Sequence, residues 1–247
     1  MKVIILGYGR MGREVEAALK LKGHSVAAIV DPFAGQESEL TAEMAEKADG
    51  VIEFSLPDTA IANAEKYAEL KLKAVVGTTG WYDELPKVRE MIEKAGAAYL
   101  YGSNFSIGAH LFFHLVGKAA KLINPFPEYD IMGYEIHHKM KKDSPSGTAL
   151  TTANRILENN QRKNTLLFDR CDREIQPDEL HFASIRGGAV PGVHKVLIDS
   201  VADTIEISHT ARGRMGFAMG SVLALEWLLN KKTGFYNVDD FINESLA

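Results

Sequence analysis

Short apolar runs separated by amphipathic stretches set the rhythm of the first hundred positions. Residues 3–6, 26–30, 51–54, 74–76 and 97–101 are such runs. Between them, residues 13–22 carry Val15, Ala18 and Leu19 at helical spacing, and residues 59–70 and 85–94 also read as helices. Short apolar strands joined by helical crossovers imply right-handed βαβ units in a parallel sheet. After Asn104 the texture changes. Residues 107–123 are apolar at helical periods and stop at Asn124-Pro125-Phe126-Pro127. Residues 129–138 predict a strand and 146–159 a helix, and then 166–169, 181–185, 193–198 and 204–209 predict strands with no long helix between them. A mostly antiparallel or mixed sheet follows from that spacing. Residues 217–230 are helical again. The simplest architecture is two domains, with the terminal helix free to return to the first.

Gly7-Tyr8-Gly9-Arg10-Met11-Gly12 is a G-x-G-x-x-G directly after the first strand and at the opening of a helix. Gly7 permits the tight turn, Gly9 lets backbone approach a pyrophosphate, and Gly12 allows close helix–strand packing. A plain tight turn is the alternative. The strand–turn–helix context and an acid at the end of the second strand, Asp31, favour a Rossmann dinucleotide-binding domain. Asp31 can accept hydrogen bonds from an adenosine ribose, and it repels a 2′-phosphate. Pro32 and Phe33 follow it, so no adjacent Arg or Lys offers that phosphate a partner. The expected cofactor is NADH or NADPH, with a lean to NADH; a solvated turn aspartate is the plainer reading. Gly77-Thr78-Thr79-Gly80 and Ser103-Asn104-Phe105 each follow a strand at its carboxyl end, where open α/β sheets bind ligands, although either alone reads equally as a turn.

The densest chemistry lies between Glu135 and Ala149. His137, His138, Lys141 and Lys142 concentrate donors, and Ser146, Gly147 and Thr148 add amides and hydroxyls where a helix begins. The group suits a small substrate carrying two carboxylates. A solvated basic loop and a metal site are the alternatives. Adjacent histidines in a strand point to opposite faces, which disfavours both ligating one metal, and no third ligand is marked nearby. His24, His110, His114, His181, His194 and His209 read as structural. Arg186-Gly187-Gly188 and Pro191-Gly192-Val193-His194 read as a glycine-rich turn between strands.

Composition narrows the class. A chain of 247 residues with 46% hydrophobic positions can bury a substantial core, and a net charge of −5 argues against a broad nucleic-acid surface. Cys171, the single cysteine, stands among Asp169, Arg170, Asp172 and Arg173, and that mixed field gives a thiolate no support. It also leaves no internal disulfide. No run reaches the roughly 18 apolar residues of a membrane span, and the N-terminus lacks a signal peptide's cleavage region. The expected location is cytoplasmic.

Taken together, these motifs resemble one family. The run E-x-H-H-x-x-K-x-D-x-P-S-G-T-A from Glu135 to Ala149 is similar to the hallmark of dihydrodipicolinate reductases. The other pieces fall in that family's order: G-x-G-R-M-G at 7–12, F-S-x-P at 54–57, G-T-T-G at 77–80, N-F-S-I-G at 104–108, R-G-G at 186–188, G-x-H at 192–194 and R-M-x-F-A at 214–218. The resemblance implies a Rossmann domain at 1–107 and 216–247, and an α+β substrate and tetramerisation domain at 108–215 with a mixed sheet. It implies NAD(P)H-dependent reduction of 4-hydroxy-tetrahydrodipicolinate, through dihydrodipicolinate, in lysine biosynthesis. His137 is then the proton donor and Lys141 its partner, while His138, Gly147 and Thr148 hold substrate. Cofactor is expected on Gly7, Tyr8, Gly9, Arg10, Met11, Gly12, Asp31, Gly77, Thr78, Thr79, Gly102, Ser103, Asn104 and Phe105. A homotetramer is implied, with no metal, nucleic-acid or membrane partner. Two rivals share the scaffold. An aspartate-semialdehyde type needs an activated cysteine, for which Cys171 is poorly placed. A non-catalytic dinucleotide sensor has no reason to keep His137, His138 and Lys141 together.

Overall fold

The computed structural model describes residues 1–168 and 170–246. In chain order the elements are β1 (Lys2–Leu6), α1 (Arg10–Leu21), β2 (Ser25–Val30), α2 (Ala42–Glu46), β3 (Gly50–Glu53), α3 (Ala60–Glu69), β4 (Lys73–Val76), α4 (Leu85–Ala95) and β5 (Ala98–Tyr101). Then come α5 (Ile107–Leu122), β6 (Asp130–His137), α6 (Gly147–Asn159), β7 (Thr165–Leu167), β8 (Glu179–Arg186), β9 (Val193–Asp199) and β10 (Thr204–Thr210). The chain closes with α7 (Met215–Leu229), β11 (Gly234–Asn237) and α8 (Val238–Leu246). Two compact units result: Met1–Ile107 with Arg214–Ala247, and Gly108–Gly213.

In the first unit six parallel strands run in the order β11-β5-β4-β3-β1-β2. Along β1, Val3 and Ile5 enter one apolar cluster with α1 and α7, while Ile4 and Leu6 enter another with α3 and α4. Side chains of a strand alternate between faces, so a sheet covered on both faces needs apolar residues at every position. That is the cause of the unbroken runs. The strand order reverses direction between β1 and β3, the switch point at which such sheets open a ligand crevice.

Four elements here depart from the local reading. α1 begins at Arg10, three residues before the amphipathic stretch, and so includes Gly12. Glycine disfavours a helix interior by about 1 kcal/mol relative to alanine, but close packing against β1 requires it at this position. The edge strand β11 and the helix α8 were not anticipated, and neither was the five-residue α2. A four-residue strand beginning with Gly234 shows no readable alternation, and its partner β5 lies more than a hundred positions earlier.

In the second unit the sheet order is β10-β9-β6-β8-β7. β9 is antiparallel to β6 and β10, and β8 is parallel to β6 and β7, so the sheet is mixed. The strand expected over 166–169 is observed as Thr165–Leu167, and Asp169 lies outside the described residues. From Ile131 along β6, and along all of β9, buried and half-buried positions alternate. The inward face packs against Phe112, Phe113 and Val116 of α5 and against Ala149, Ala153 and Ile156 of α6. Glu135, His137 and His194 share that inward face.

Candidate active site

At the carboxyl ends of the parallel strands, the three glycines of the 7–12 loop have separate causes. Gly7 has φ +87°, and a Cβ on it would stand 2.2 Å from the Phe54 carbonyl oxygen. A Cβ on Gly12 would stand 2.1 Å from the carbonyl oxygen of Gly7. Gly9 instead faces open space, the gap that lets a pyrophosphate reach backbone amides. No acid lies in the first turn of α1, so its positive end is not neutralised from within. These features fit a dinucleotide.

The carboxylate of Asp31 is already engaged. Tyr8 N–H donates to Oδ2 at 2.7 Å, and Phe33 and Ala34 N–H donate to Oδ1 at 2.8 and 3.0 Å. The Tyr8 amide first, and then the other two, hold its pKa below the ordinary aspartate value against the effect of burial. Asp31 thus ties the glycine loop to the turn after β2, and a carboxylate has remaining lone pairs for a ribose hydroxyl. Tyr8 packs under the Arg13 guanidinium, and its hydroxyl donates to Glu16. Arg10 and Met11 occupy the first turn of α1.

Thr78 is buried, and its hydroxyl serves the fold. It accepts from Ser55 N–H at 2.8 Å and donates to Glu53 at 3.3 Å, while its carbonyl receives the Trp81 indole N–H at 2.7 Å. Glu53 itself is fully buried at the end of β3 and also accepts from Ser55, Asn63 and Tyr67. Burial pushes its acidity toward the neutral acid, and those hydrogen bonds oppose the shift. The cluster joins the loop after β3 to the loop after β4 through one carboxyl. Gly77 lies against the Phe54 ring, where a Cβ would come within 2.0 Å of it, and Thr79 is exposed. Gly102 sits against Val238, Phe105 is buried edge-on to Phe54, and Ser103 is exposed. Asn104 accepts from Ser106 N–H at 2.9 Å.

The second unit gathers its polar residues around Glu135, which is 0% exposed. Its Oε1 accepts from Ser146 N–H at 2.9 Å, Ser184 Oγ at 2.8 Å and Arg186 Nη2 at 2.8 Å. Oε2 accepts from the Ser146 hydroxyl and lies 3.2 Å from His137 Nδ1 and 3.4 Å from His194 Nε2. The His137 contact is off-line for a hydrogen bond, so that attraction is Coulombic. Burial raises a carboxyl's pKa, yet His194, Ser146 and Arg186 outweigh it and hold Glu135 well below the usual carboxylate range. His137 is pushed down to about 4, first by burial and then by the neighbouring His194, Lys141 and Arg186, against the pull of Glu135. Burial thus leaves this imidazole a weaker base than an exposed histidine.

Arg186 also donates to the Asp143 carbonyl at 2.7 Å, and His138 N–H donates to the Val190 carbonyl at 2.8 Å. These bonds clamp the 138–143 loop to the glycine-rich 187–192 turn. The loop carries Lys141, whose ammonium pairs with Asp143 at 2.9 Å. His138 is half-buried just beyond the end of β6, Gly147 is exposed at the first turn of α6, and Thr148 is half-buried beside it. Ser146 caps α6 by accepting from Ala149 N–H at 3.1 Å.

Glu135, His137 and His194 bring three donors within 4.8 Å of one another, a grouping that types of ligand alone would allow a metal. Arg186 already supplies the positive charge that this carboxylate requires. Sequence reasoning missed Glu135, Arg186 and His194 as members of the site. The two-residue spacing of Glu135 and His137 was a readable sign of a shared face. The contact with His194, which lies on another strand, was not.

A glycine loop at the switch point of a parallel sheet, in one chain with a buried carboxylate–imidazole cluster, is the arrangement of a dinucleotide-dependent oxidoreductase. The chain belongs to the dihydrodipicolinate reductase family. The family's N-terminal profile matches residues 1–105 and its C-terminal profile residues 108–242. A 4-hydroxy-tetrahydrodipicolinate reductase of Christiangramia forsetii is 38% identical over 244 residues, covering 99% of this chain and 98% of that one. Another, from Chromobacterium violaceum, is 34% identical and covers 97% of each chain. In fold, the chain is similar to a dipicolinate-bound dihydrodipicolinate reductase from Paenisporosarcina sp. TG-14, with a TM-score of 0.75 at 23% identity, covering 97% of this chain and 98% of that one.

Proposed function

We propose that the protein reduces 4-hydroxy-tetrahydrodipicolinate, through dihydrodipicolinate, to tetrahydrodipicolinate at the expense of NADH or NADPH. The observation that carries this reading is the 135–149 run folded as one site, with His137 7% exposed and Lys141 held on a clamped loop beside it. When bound, the dinucleotide supplies a hydride from its nicotinamide ring. His137 supplies the proton that quenches the negative charge left on the substrate. Lys141, released from Asp143, stabilises that charge and a substrate carboxylate. His138, Gly147 and Thr148 hold the dicarboxylate, with the α6 amides as donors.

The low proton affinity of His137 is consistent with this role. In the free chain it is neutral at pH 7, and a bound dianion raises its pKa toward the working range. Protonation is then coupled to substrate capture.

On the nucleotide side, Gly7, Tyr8, Gly9, Arg10, Met11 and Gly12 hold the pyrophosphate, and Asp31 the adenosine ribose. Gly77, Thr79, Gly102, Ser103, Asn104 and Phe105 line the nicotinamide end, with Thr78 acting through its backbone. The carboxylate of Asp31 followed by Pro32 favours NADH. The outward face of the second sheet carries half-buried Met132, Tyr134, Ile136 and Leu197 and an Ile185 that is 48% exposed, which supports assembly into a homotetramer through that sheet. Among the described residues no helix is long and apolar enough to cross a membrane, and a cytoplasmic location accords with the pathway.

The test is NADH oxidation with substrate made in situ by dihydrodipicolinate synthase from pyruvate and aspartate semialdehyde. Oxidation that requires both the synthase and this protein is the expected result. Folded protein that binds NADH and turns nothing over would point to the nucleotide sensor.

A further inference from the structure

Four strands of the second sheet place one polar residue each at the same level. Strand register sets Ser184 of β8 opposite Glu135 of β6, Glu135 opposite His194 of β9, and His194 opposite His209 of β10. Residues paired across neighbouring strands share a face. A hydroxyl, a carboxylate and two imidazoles thus form a rung inside an otherwise apolar layer. Glu135 is satisfied as a buried acceptor by Ser146, Ser184 and Arg186 alone. Its Oε2 nevertheless stands between two imidazoles, 3.2 Å from His137 Nδ1 and 3.4 Å from His194 Nε2.

We propose, on the strength of the reductase reading, that Glu135 and His194 are positioning residues for His137. Glu135 Oε2 holds the Nδ1 edge of His137, so that Nε2 is the edge presented to substrate. His194 braces that oxygen from its far side. Gly192 supplies the second half of the geometry: a Cβ there would stand 3.0 Å from His137 Nε2, so its bare backbone leaves that edge uncovered. The His194 ring, 4% exposed, lies edge-on to His137 with centroids 5.1 Å apart and blocks a swing toward β9. His209 backs His194 in turn, stacked at 6.2 Å.

The charges around His137 make the carboxylate necessary. Arg186 on β8 and Lys141 on the loop are cations, and His194 on β9 is a further titratable group. Glu135, on β6 itself, is the anion among them. Without it, the imidazolium formed before proton transfer faces positive charge alone. The tautomer of a catalytic histidine is set by what faces its other nitrogen, and the Glu135 carboxylate, 3.2 Å from Nδ1, favours the proton there through its charge.

The experiment compares the wild-type enzyme with His194→Gln and Glu135→Gln, measuring kcat across pH and dipicolinate binding by calorimetry. Loss of the brace or the carboxylate lowers kcat by about 10- to 100-fold, the cost of misplacing a reacting group. The Kd for dipicolinate stays within about threefold, because a positioning residue acts on turnover more than on binding. In Glu135→Gln the alkaline limb of kcat moves to lower pH, since removing the anion makes His137 release its proton earlier; a purely structural role leaves the limb where it was. Turnover within about twofold of wild type in His194→Gln, or an unmoved limb in Glu135→Gln, overturns the proposal. Should Glu135→Gln fail to fold, His194→Gln decides alone. If wild-type protein binds dipicolinate but reduces no substrate, the reductase reading fails, and the imidazole nitrogen chemical shifts of His137 decide the positioning separately. A single tautomer in wild type that becomes mixed in His194→Gln supports it, and an unchanged tautomer overturns it.

Discussion

The two sheets keep their chemistry in different places. In the parallel sheet the strands are apolar almost throughout, and Glu53, the buried acid of β3, is the last residue of its strand. Gly9, which faces open space, and the start of α1, which has no side-chain cap, lie beyond the end of β1. In the mixed sheet the chemistry lies within the strands: Glu135 and His137 on β6, Ser184 and Arg186 on β8, and His194 on β9. A sheet buried on both faces has no face to spare for polar groups, so function moves to the carboxyl ends. A sheet with one inward face can carry a polar rung, and here Ser146, Ser184, Arg186 and two imidazoles gather around one carboxylate. The first arrangement leaves bare backbone and a helix start beyond the strands, and the second shifts proton affinity within them.

The largest effect is expected from His137→Ala or Lys141→Ala. Each lowers kcat by about 10²–10⁴-fold, the usual weight of an acid–base group, and leaves NADH affinity unchanged by fluorescence titration. Near-normal turnover in both variants would remove the catalytic assignment. Gly12→Val is the reciprocal test. Its Cβ meets the Gly7 carbonyl oxygen, and overpacking of this kind costs about 1–3 kcal/mol. Nucleotide affinity and Tm fall together, while dipicolinate still binds the second unit.

A smaller effect sharpens the nucleotide side. Asp31→Ser removes a charge that repels a 2′-phosphate and that accepts from the ribose. The ratio of kcat/KM for NADH over NADPH is expected to favour NADH in the wild type and to narrow by about tenfold in the variant, the equivalent of ~1.4 kcal/mol. A wild-type preference for NADPH would refute the role given to Asp31.

The least of the expected effects is on stability. The folded chain holds His137 down to about 4, against about 6.5 in an unfolded chain. Between those values the unfolded chain binds more protons, so stability falls as pH drops through that window. His209 is shifted in the same direction by burial and by His194. Glu135, held below its ordinary value, adds a loss of the same sign once pH falls under the usual carboxylate range. Calorimetric Tm values should decline from pH 7 to pH 5, and His137→Phe should make the decline shallower. An identical slope in that variant would show that its titration is not the cause.

How much was readable in the residues differs between the sheets for the same reason. Continuous apolar runs, their helical spacers and the 7–12 glycines are local features, and each had a physical cause that could be named before any contact was known. The strand–helix alternation followed to within a few residues. β11 did not, because Gly234–Asn237 is four residues long and takes its place only by pairing with β5. In the second unit the 135–149 run announced a site, and the alternation of β6 put Glu135 and His137 on one face. Their partners were out of reach. Arg186 and Pro191–His194 read as parts of a turn until strand register set them beside Glu135.

Most of the long strands and helices, the need for glycine at 7 and 12, and the densest run of polar chemistry were legible in the chain alone. Those depend on steric and hydrophobic rules acting over a few residues. Tertiary structure alone decided that His194 faces Glu135, that the Thr78 hydroxyl serves Glu53, and that His137 gives up its proton near pH 4. Proton affinity is set by burial and by every charge within a few ångströms, and those neighbours come from strands that only the completed sheet brings together.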